Sequence, residues 1–391
     1  MSRLLPMMSS LLFALPAAAQ DFDHADGNPL APRWSDWIER HEVEVGVYGS
    51  FLARKDDHGI EGDGDGEGGS ASNDITDIAR LRQIDLSLRA TLESGVGAVL
   101  TASIQSNRLN TEYGLDVEEA YLDVRRVPLL GDLPSGLSFQ LGQFRTHFGF
   151  LNGVRVFDLP QINRPRALTQ FFGDNGYSQL GGSVSYRREL PGDAGALRAT
   201  WEILDSGNPP LTIEDGGATG AQVARLAWSR GVGSEHVLRS GLSLYHGRQA
   251  DRDELRTDLL GLDALYTWRS DEQRGLNALR LGGEWLAAEI DRDGGDPPDE
   301  PEAWYLWSQA QFGQRWLVGA HLDVSEELDA PDLSTRTLGA TLTFLESCDL
   351  RYSLGVSVTD SDLGLLDGAT RAFAAIQFGF GSSPRRPFWV R

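Results

Sequence analysis

The residues of this 391-residue chain that could do chemistry are mostly charged, and few stand at spacings a reaction demands. In the run Asp63-Gly-Asp-Gly-Glu-Gly, followed by Asp74, the residues Asp63, Asp65 and Glu67 occupy alternate positions before a glycine. That order resembles the first ligands of a calcium loop, but the flanking helices and the terminal bidentate Glu are missing. The run therefore reads first as a solvated loop and second as a weak cation site. No other metal-ligand set is visible and no cofactor is expected. There is no Gly-x-Ser-x-Gly elbow, no His-Glu-x-x-His pair and no phosphate-cradling glycine loop. The seven histidines are scattered. His321 falls on the polar side of an alternating run and reads as a lining group. His246 alone falls toward an apolar side. The single cysteine, Cys348, excludes an intramolecular disulfide and a cysteine zinc cluster.

What remains is a set of arginines and carboxylates interleaved with apolar residues, and the interleaving has period two. Ile84, Leu86, Leu88 and Ala90 alternate with Asp85, Ser87 and Arg89; Leu279, Leu281 and Trp285 alternate with Arg280 and Glu284; Leu350, Tyr352 and Leu354 alternate with Arg351 and Ser353. A strand sends such sets to opposite faces. The pattern predicts strands near 42–54, 79–93, 96–106, 116–126, 136–145, 178–188, 195–204, 221–230, 236–248, 257–269, 277–291, 303–313, 315–326, 334–345, 348–360 and 369–380. Helical spacing is confined to Trp34–Arg40. Short turns such as Ser94-Gly95 and Gly313-Gln314 alternate with longer polar loops, the longest interior one being 146–177. Trp201, Trp228, Trp268, Trp285, Trp304, Trp307 and Trp316 fall near strand ends, where interfacial aromatic girdles belong.

These features predict an all-β chain: a transmembrane antiparallel β-barrel of about 16 strands. Lipid forbids open sheet edges, and a soluble sandwich of so many strands would need a second sheet against each apolar face. The expected organisation is a signal peptide over 1–20, a periplasmic segment over 21–41, the barrel over 42–380 and a tail over 381–391. Arg3, the apolar stretch Leu4–Leu15 and Ala17-Ala18-Ala19 carry the n-, h- and c-regions of a secretory signal. A mean hydropathy of −0.29 with 40% hydrophobic residues suits a barrel, whose alternation averages out. A net charge of −22 excludes nucleic acid as an expected partner.

With apolar faces turned to lipid, the lumen is expected to be lined by Arg89, Arg125, Glu119, Asp123, Arg280, Glu284 and Arg351 among others. Opposed rings of charge orient polar solutes and set ion preference. The plainer reading is that many of these charges neutralise one another across neighbouring strands.

One stretch carries a family resemblance. It runs through Val117-Glu-Glu-Ala-Tyr-Leu122, Leu133-Pro-Ser-Gly-Leu137, Leu141-Gly-Gln-Phe-Arg-Thr-His-Phe-Gly-Phe-Leu-Asn152, Phe157-Asp-Leu-Pro160, Arg164-Pro165 and Phe172-Gly-Asp-Asn-Gly176. It resembles outer-membrane porins related to the phosphate-selective porins, whose relatives are sometimes labelled zinc-regulated TonB-dependent outer-membrane receptors. The resemblance covers about residues 116–186. It implies a sixteen-stranded barrel in a Gram-negative outer membrane, with a long inward-folded loop after strand 5 that narrows the pore. Arg145, Arg155, Arg164 and Arg166 would then line the constriction, since guanidinium grips phosphate or carboxylate in a fork. Phe148, Phe150, Phe157, Phe171 and Phe172 would pack the loop on the wall. The alternative is an external loop whose arginines pair with Asp158 and Asp174. Residues 21–41 are too few for a plug domain, so energised transport is not expected.

The function read from this is passive diffusion of small polar solutes, leaning to anions, without enzymatic activity. The expected partners are outer-membrane lipids, lipopolysaccharide, small polar or anionic solutes and, by analogy, a homotrimer. The alternatives are a plugged structural or adhesive barrel and a membrane-embedded lipid hydrolase.

Overall fold

The computed structural model describes residues 43–56, 78–91, 96–106, 113–127, 131–132, 134–206, 218–249, 252–270, 275–292, 296–328, 330–347, 349–362 and 367–381. The expected signal and periplasmic segments, the expected tail after Gly381, the helical spacing at Trp34–Arg40 and the acidic run with Asp63, Asp65 and Glu67 lie outside them.

Sixteen antiparallel strands close into one barrel. In chain order they are β1 (Val43–Asp56), β2 (Ile78–Thr91), β3 (Val96–Ser106), β4 (Tyr113–Val124), β5 (Leu137–Arg145), β6 (Ser178–Glu189), β7 (Ala196–Ser206) and β8 (Ala218–Val232). The series continues with β9 (His236–Gln249), β10 (Arg252–Arg269), β11 (Leu276–Ile290), β12 (Glu302–Phe312), β13 (Trp316–Glu327), β14 (Ala330–Leu345), β15 (Leu350–Ser361) and β16 (Ala369–Gly381). Each strand pairs with its sequence neighbours. β1 and β16 seal the cylinder in the register Gly46↔Gly381 to Asp56↔Arg371. A two-residue ribbon, Arg126–Val127 with Gly131–Asp132, caps the connection from β4 to β5.

The period-two pattern decides which face is wet. Leu141, Leu180, Leu306, Leu338, Leu354 and Phe380 stand exposed on the outside, while Ser87, Thr101, Ser243, Gln309, Ser353 and Gln377 are buried on the inside. An apolar exterior around a polar interior is the arrangement a lipid bilayer selects. Every expected strand is present, with ends displaced by a few residues. The larger differences are β10 and β14, which begin at Arg252 and Ala330 rather than near 257 and 334.

Two expectations are corrected. Trp307 does not join an external girdle. It points into the barrel, 4% exposed, because Gly282 on β11 leaves room for its ring; a Cβ there would lie 2.6 Å from the indole. Nor is the inner wall polar throughout. Strands β7 to β12 turn Leu204, Val223, Tyr245, Leu259, Leu286 and Tyr305 inward, where they join one buried apolar cluster with residues of the 146–177 loop.

Candidate functional site in the loop-crossed lumen

The chain turns inward after β5, and its first and last residues tie a neck. Thr146 N–H donates to the Tyr177 carbonyl (3.0 Å). Asn152 donates through Nδ2 to the Thr146 carbonyl (3.1 Å) and Oγ1 (2.8 Å), and its Oδ1 accepts from Tyr177 N–H (2.8 Å). Asn152 thus closes both ends of the loop with one planar side chain.

Beyond the neck, backbone groups of the loop find partners on the wall, as buried amides must. Glu202 of β7 accepts from His147 N–H (3.2 Å) and also meets the His147 ring. Ser243 of β9 accepts from Gly149 N–H (3.0 Å). Glu284 of β11 accepts from Phe150 and Leu151 N–H, each at 2.7 Å. Gly149 allows that approach: its φ is +63°, and a Cβ would lie 2.2 Å from Glu284 Oε2. Gln309 of β12 donates to the Pro160 carbonyl (3.2 Å), and Arg82 of β2 to the Ile162 carbonyl (2.5 Å).

Phe148, Leu151, Leu168, Phe171 and Phe172 fill the side facing β7 to β12, at about 1.5–3 kcal/mol for each fully buried ring or leucine. Phe157 turns the opposite way. It packs on Tyr48 of β1 with centroids 5.3 Å apart and lies under the Arg351 guanidinium of β15 at 4.4 Å.

The loop carries a short helix, α1 (Arg166–Phe172), for which the sequence pattern gave no expectation. Its N-cap, Pro165, offers no side-chain acceptor. Asp323 of β13 supplies one from the wall, accepting from Ala167 N–H (3.0 Å), where a carboxylate also meets the helix dipole.

Arg145, at the end of β5, and the three loop arginines separate into two roles. Arg145 and Arg155, each 6% exposed, reach Glu118 and Glu119 of β4. Arg155 donates through Nη2 to Glu119 (2.7 Å) and to Thr101 Oγ1 (2.7 Å), leaving Nη1 buried without a protein partner. Burial works against the Arg155 charge, but the adjacent Glu119 carboxylate outweighs it and holds the group above its ordinary pKa. Arg145 bonds Glu118 and the Asn175 carbonyl.

Arg164 turns into the loop itself. It donates to the carbonyls of Leu151, Val154 (2.7 Å) and Asp174 (3.3 Å). Burial, and then the Arg145 charge, pull it down to about 9, so it remains a cation at neutral pH. Arg166, at the foot of α1, pairs with Glu327 of β13 at 2.5 Å.

Adjacent inward carboxylates are possible because β4 bulges. Thr101 faces Glu119 while Ala102 faces Val117, so Glu118 is the extra residue and both side chains enter the lumen. Glu118 was not singled out from the sequence. The signal was there, as two neighbouring acids breaking an otherwise alternating strand. Glu202 and Asp323 read from the alternation only as inner-face charges, and His147 and Glu327 carried no mark; each gains its role only when the loop reaches it.

Beside the loop is a cavity of about 320 Å³, lined by Glu119, Tyr121, Gln140, Phe144, Arg145, His147, Gly153, Val154, Arg155 and Asp158. It brings together Arg145, Arg155 and Glu119. Glu284 lies under the loop's first turn, Arg280 is 1% exposed against Gln309, and Arg351 bonds Gln377 (2.6 Å) while its guanidinium covers the Phe157 ring. Arg89 is exposed on the inner face opposite Glu44, and Arg125 and Asp123 pair at 3.0 Å near the turn after β4.

No family model and no curated protein matches the chain. Solved structures do. An anion-selective porin from Comamonas acidovorans is 14% identical, with a TM-score of 0.55 over 86% of this chain and 100% of that one. The outer membrane channel DcaP of Acinetobacter baumannii is 10% identical, with a TM-score of 0.54 over 86% and 97%. A trimer form of OmpT, an outer membrane protein of Vibrio cholerae, is 10% identical, with a TM-score of 0.51 over 86% and 99%. The architecture of this chain is therefore the fold of the outer-membrane porins.

Proposed function

We propose that this chain is a porin of the Gram-negative outer membrane, letting small polar solutes diffuse through a lumen narrowed by the 146–177 loop. The observation that carries the reading is the polar gap left beside that loop, about 320 Å³ and walled by both signs of charge. Arg145 and Arg155 line the gap together with Glu119, so a passing polar solute meets both signs of charge there. Arg164 and Arg166 hold the loop that shapes the gap. A lean toward anions belongs to this proposal, as do contact with lipopolysaccharide and assembly as a homotrimer, for which the trimer form of OmpT is a precedent. No enzymatic step is assigned to the lumen.

Conductance of purified protein in planar bilayers tests the reading. Ohmic single-channel currents are expected, with a reversal potential that moves toward cations when Arg155 is replaced by Gln. Folded protein that carries no current would end the proposal. A plugged barrel is the second reading, favoured by the bonds that fasten the loop to β2, β3, β4, β7, β9, β11, β12 and β13. Liposome swelling separates the two: uptake of small sugars supports the pore, and its absence supports the plug.

A further inference from the structure

The cavity beside the loop lies between the inner face of β4 and β5 and the loop arm 153–158. The charged groups on its wall already have partners. Arg145, Arg155 and Glu119 are each more than nine-tenths buried; Arg145 pairs with Glu118 and Arg155 with Glu119. His147 holds Glu202 through Nδ1, and Asp158 stands in the fields of Arg155 and Arg351. An ion of either sign that binds here must draw a counter-charge away from its partner, and parting a buried pair costs more than a new contact beside water returns.

The groups open to a solute are of another kind. Tyr121, Gln140 and His147 line the cavity half-buried. The Tyr121 ring meets Phe144 edge-on, with centroids 6.4 Å apart and planes at 80°. Phe144 is 1% exposed and lies in turn against the His147 ring (6.5 Å). So braced, Tyr121 presents a fixed apolar face with a polar tip. Gln140 brings an amide, donor and acceptor in one plane, and with Nδ1 of His147 engaged, Nε2 is the ring atom left for a hydroxyl. At about 320 Å³ the cavity is at the small end of ligand sites, which run from about 300 to 1,000 Å³. It has room for one sugar ring and not for a chain of them.

We propose that this cavity is a saturable site for a neutral sugar of monosaccharide size, its apolar ring face laid on Tyr121 and its hydroxyls on Gln140 and His147. A hydroxyl both donates and accepts, so it satisfies an amide or an imidazole while both ion pairs stay closed. The inference rests on the porin reading for the route by which sugar arrives and leaves; binding itself needs only the folded barrel.

The test uses the full-length folded barrel with D-glucose as probe, read by ligand-observed NMR titration and by interruption of single-channel current. Sorbitol has the hydroxyls without the closed ring, and gluconate and glucosamine each add one charge, of opposite sign. Saturable glucose binding is expected. It should be roughly tenfold weaker for each of the three comparators and in Tyr121→Ala, and kept in Tyr121→Phe. Gly153→Leu is a second variant that leaves the ring alone. Gly153 borders the cavity without a positive φ, and a Cβ on it meets nothing within 4 Å, so leucine adds bulk without displacing the protein. It should weaken glucose as much as Tyr121→Ala does. Binding by a barrel that carries no current would retire the porin reading and keep the site. Current without saturable glucose binding, or with affinity unmoved in both variants, would overturn the site and leave the porin reading intact. Gluconate or glucosamine bound as tightly as glucose would overturn the neutral class, and sorbitol bound as tightly would overturn the role of the ring face.

Discussion

Arg155 and Glu119 reach each other from different elements, one from an irregular loop and one from a bulged strand, and meet where little water can screen them. Removing one partner of such a pair leaves an uncompensated buried charge, at a cost of about 3–5 kcal/mol. Arg155→Gln should therefore lower stability by that order in urea unfolding from lipid vesicles, and adding Glu119→Gln should restore most of it. A single variant within about 0.5 kcal/mol of the parent would show that water already screens the pair. Glu119 and Arg155 were both legible as charged candidates in the sequence. Their union was not, because it needs a bulge and a loop path that no periodicity records. Arg164 is a different case. Its residue type suggested a group facing solutes, yet its donors point at the loop's own carbonyls.

At the scale of elements, the loop holds its shape through contacts the strands supply. Helix α1 spans only seven residues, ordinarily too few to persist alone. Its buried residues, Ala167, Leu168, Phe171 and Phe172, do trace one helical face, but a pattern that short is easily passed over. Its cap comes from Asp323, far along the chain. Asp323→Ala should cost about 0.5–2 kcal/mol, the range for losing a helix cap, and should speed proteolysis within 146–177 while the strands stay protected. Unchanged cleavage of the loop would assign its order to the apolar cluster alone. The strands themselves were legible almost residue by residue. The alternation places the starts of β10 and β14 too late, because Arg252–Arg256 and Ala330–Leu333 lack a clean alternating pattern although the hairpins continue through them.

The molecule as a whole is a cylinder whose outside answers to lipid and whose inside answers to the loop. Leu262, 48% exposed on the outer face of β10, illustrates the first. Leu262→Arg should destabilise the barrel by about 2–4 kcal/mol, as a cation does near the bilayer midplane, read as a lower urea midpoint for vesicle-inserted protein. An effect near zero would place that face outside the hydrocarbon. The second is illustrated by the wall of β7 to β12, whose inward leucines and tyrosines pack beneath the loop's phenylalanines. On β10 the neighbours Leu259 and Leu260 are both apolar, so alternation alone cannot say that Leu259 belongs inside.

Period-two alternation, turn residues and the rhythm of short and long connections were sufficient, from sequence alone, for an antiparallel barrel of about sixteen strands, its polar side inward and a long connection after the fifth strand. These are local properties, since a pleated strand turns neighbours to opposite faces whatever lies far away. The tertiary structure alone decided which charges meet. It sent Glu118 and Glu119 inward together through a bulge, set Asp323 at the N-terminus of α1 and drew Glu202 and Glu284 to amides of the loop. Those outcomes depend on closure and on the path of one loop through the lumen, and closure joins residues that the sequence keeps hundreds of positions apart.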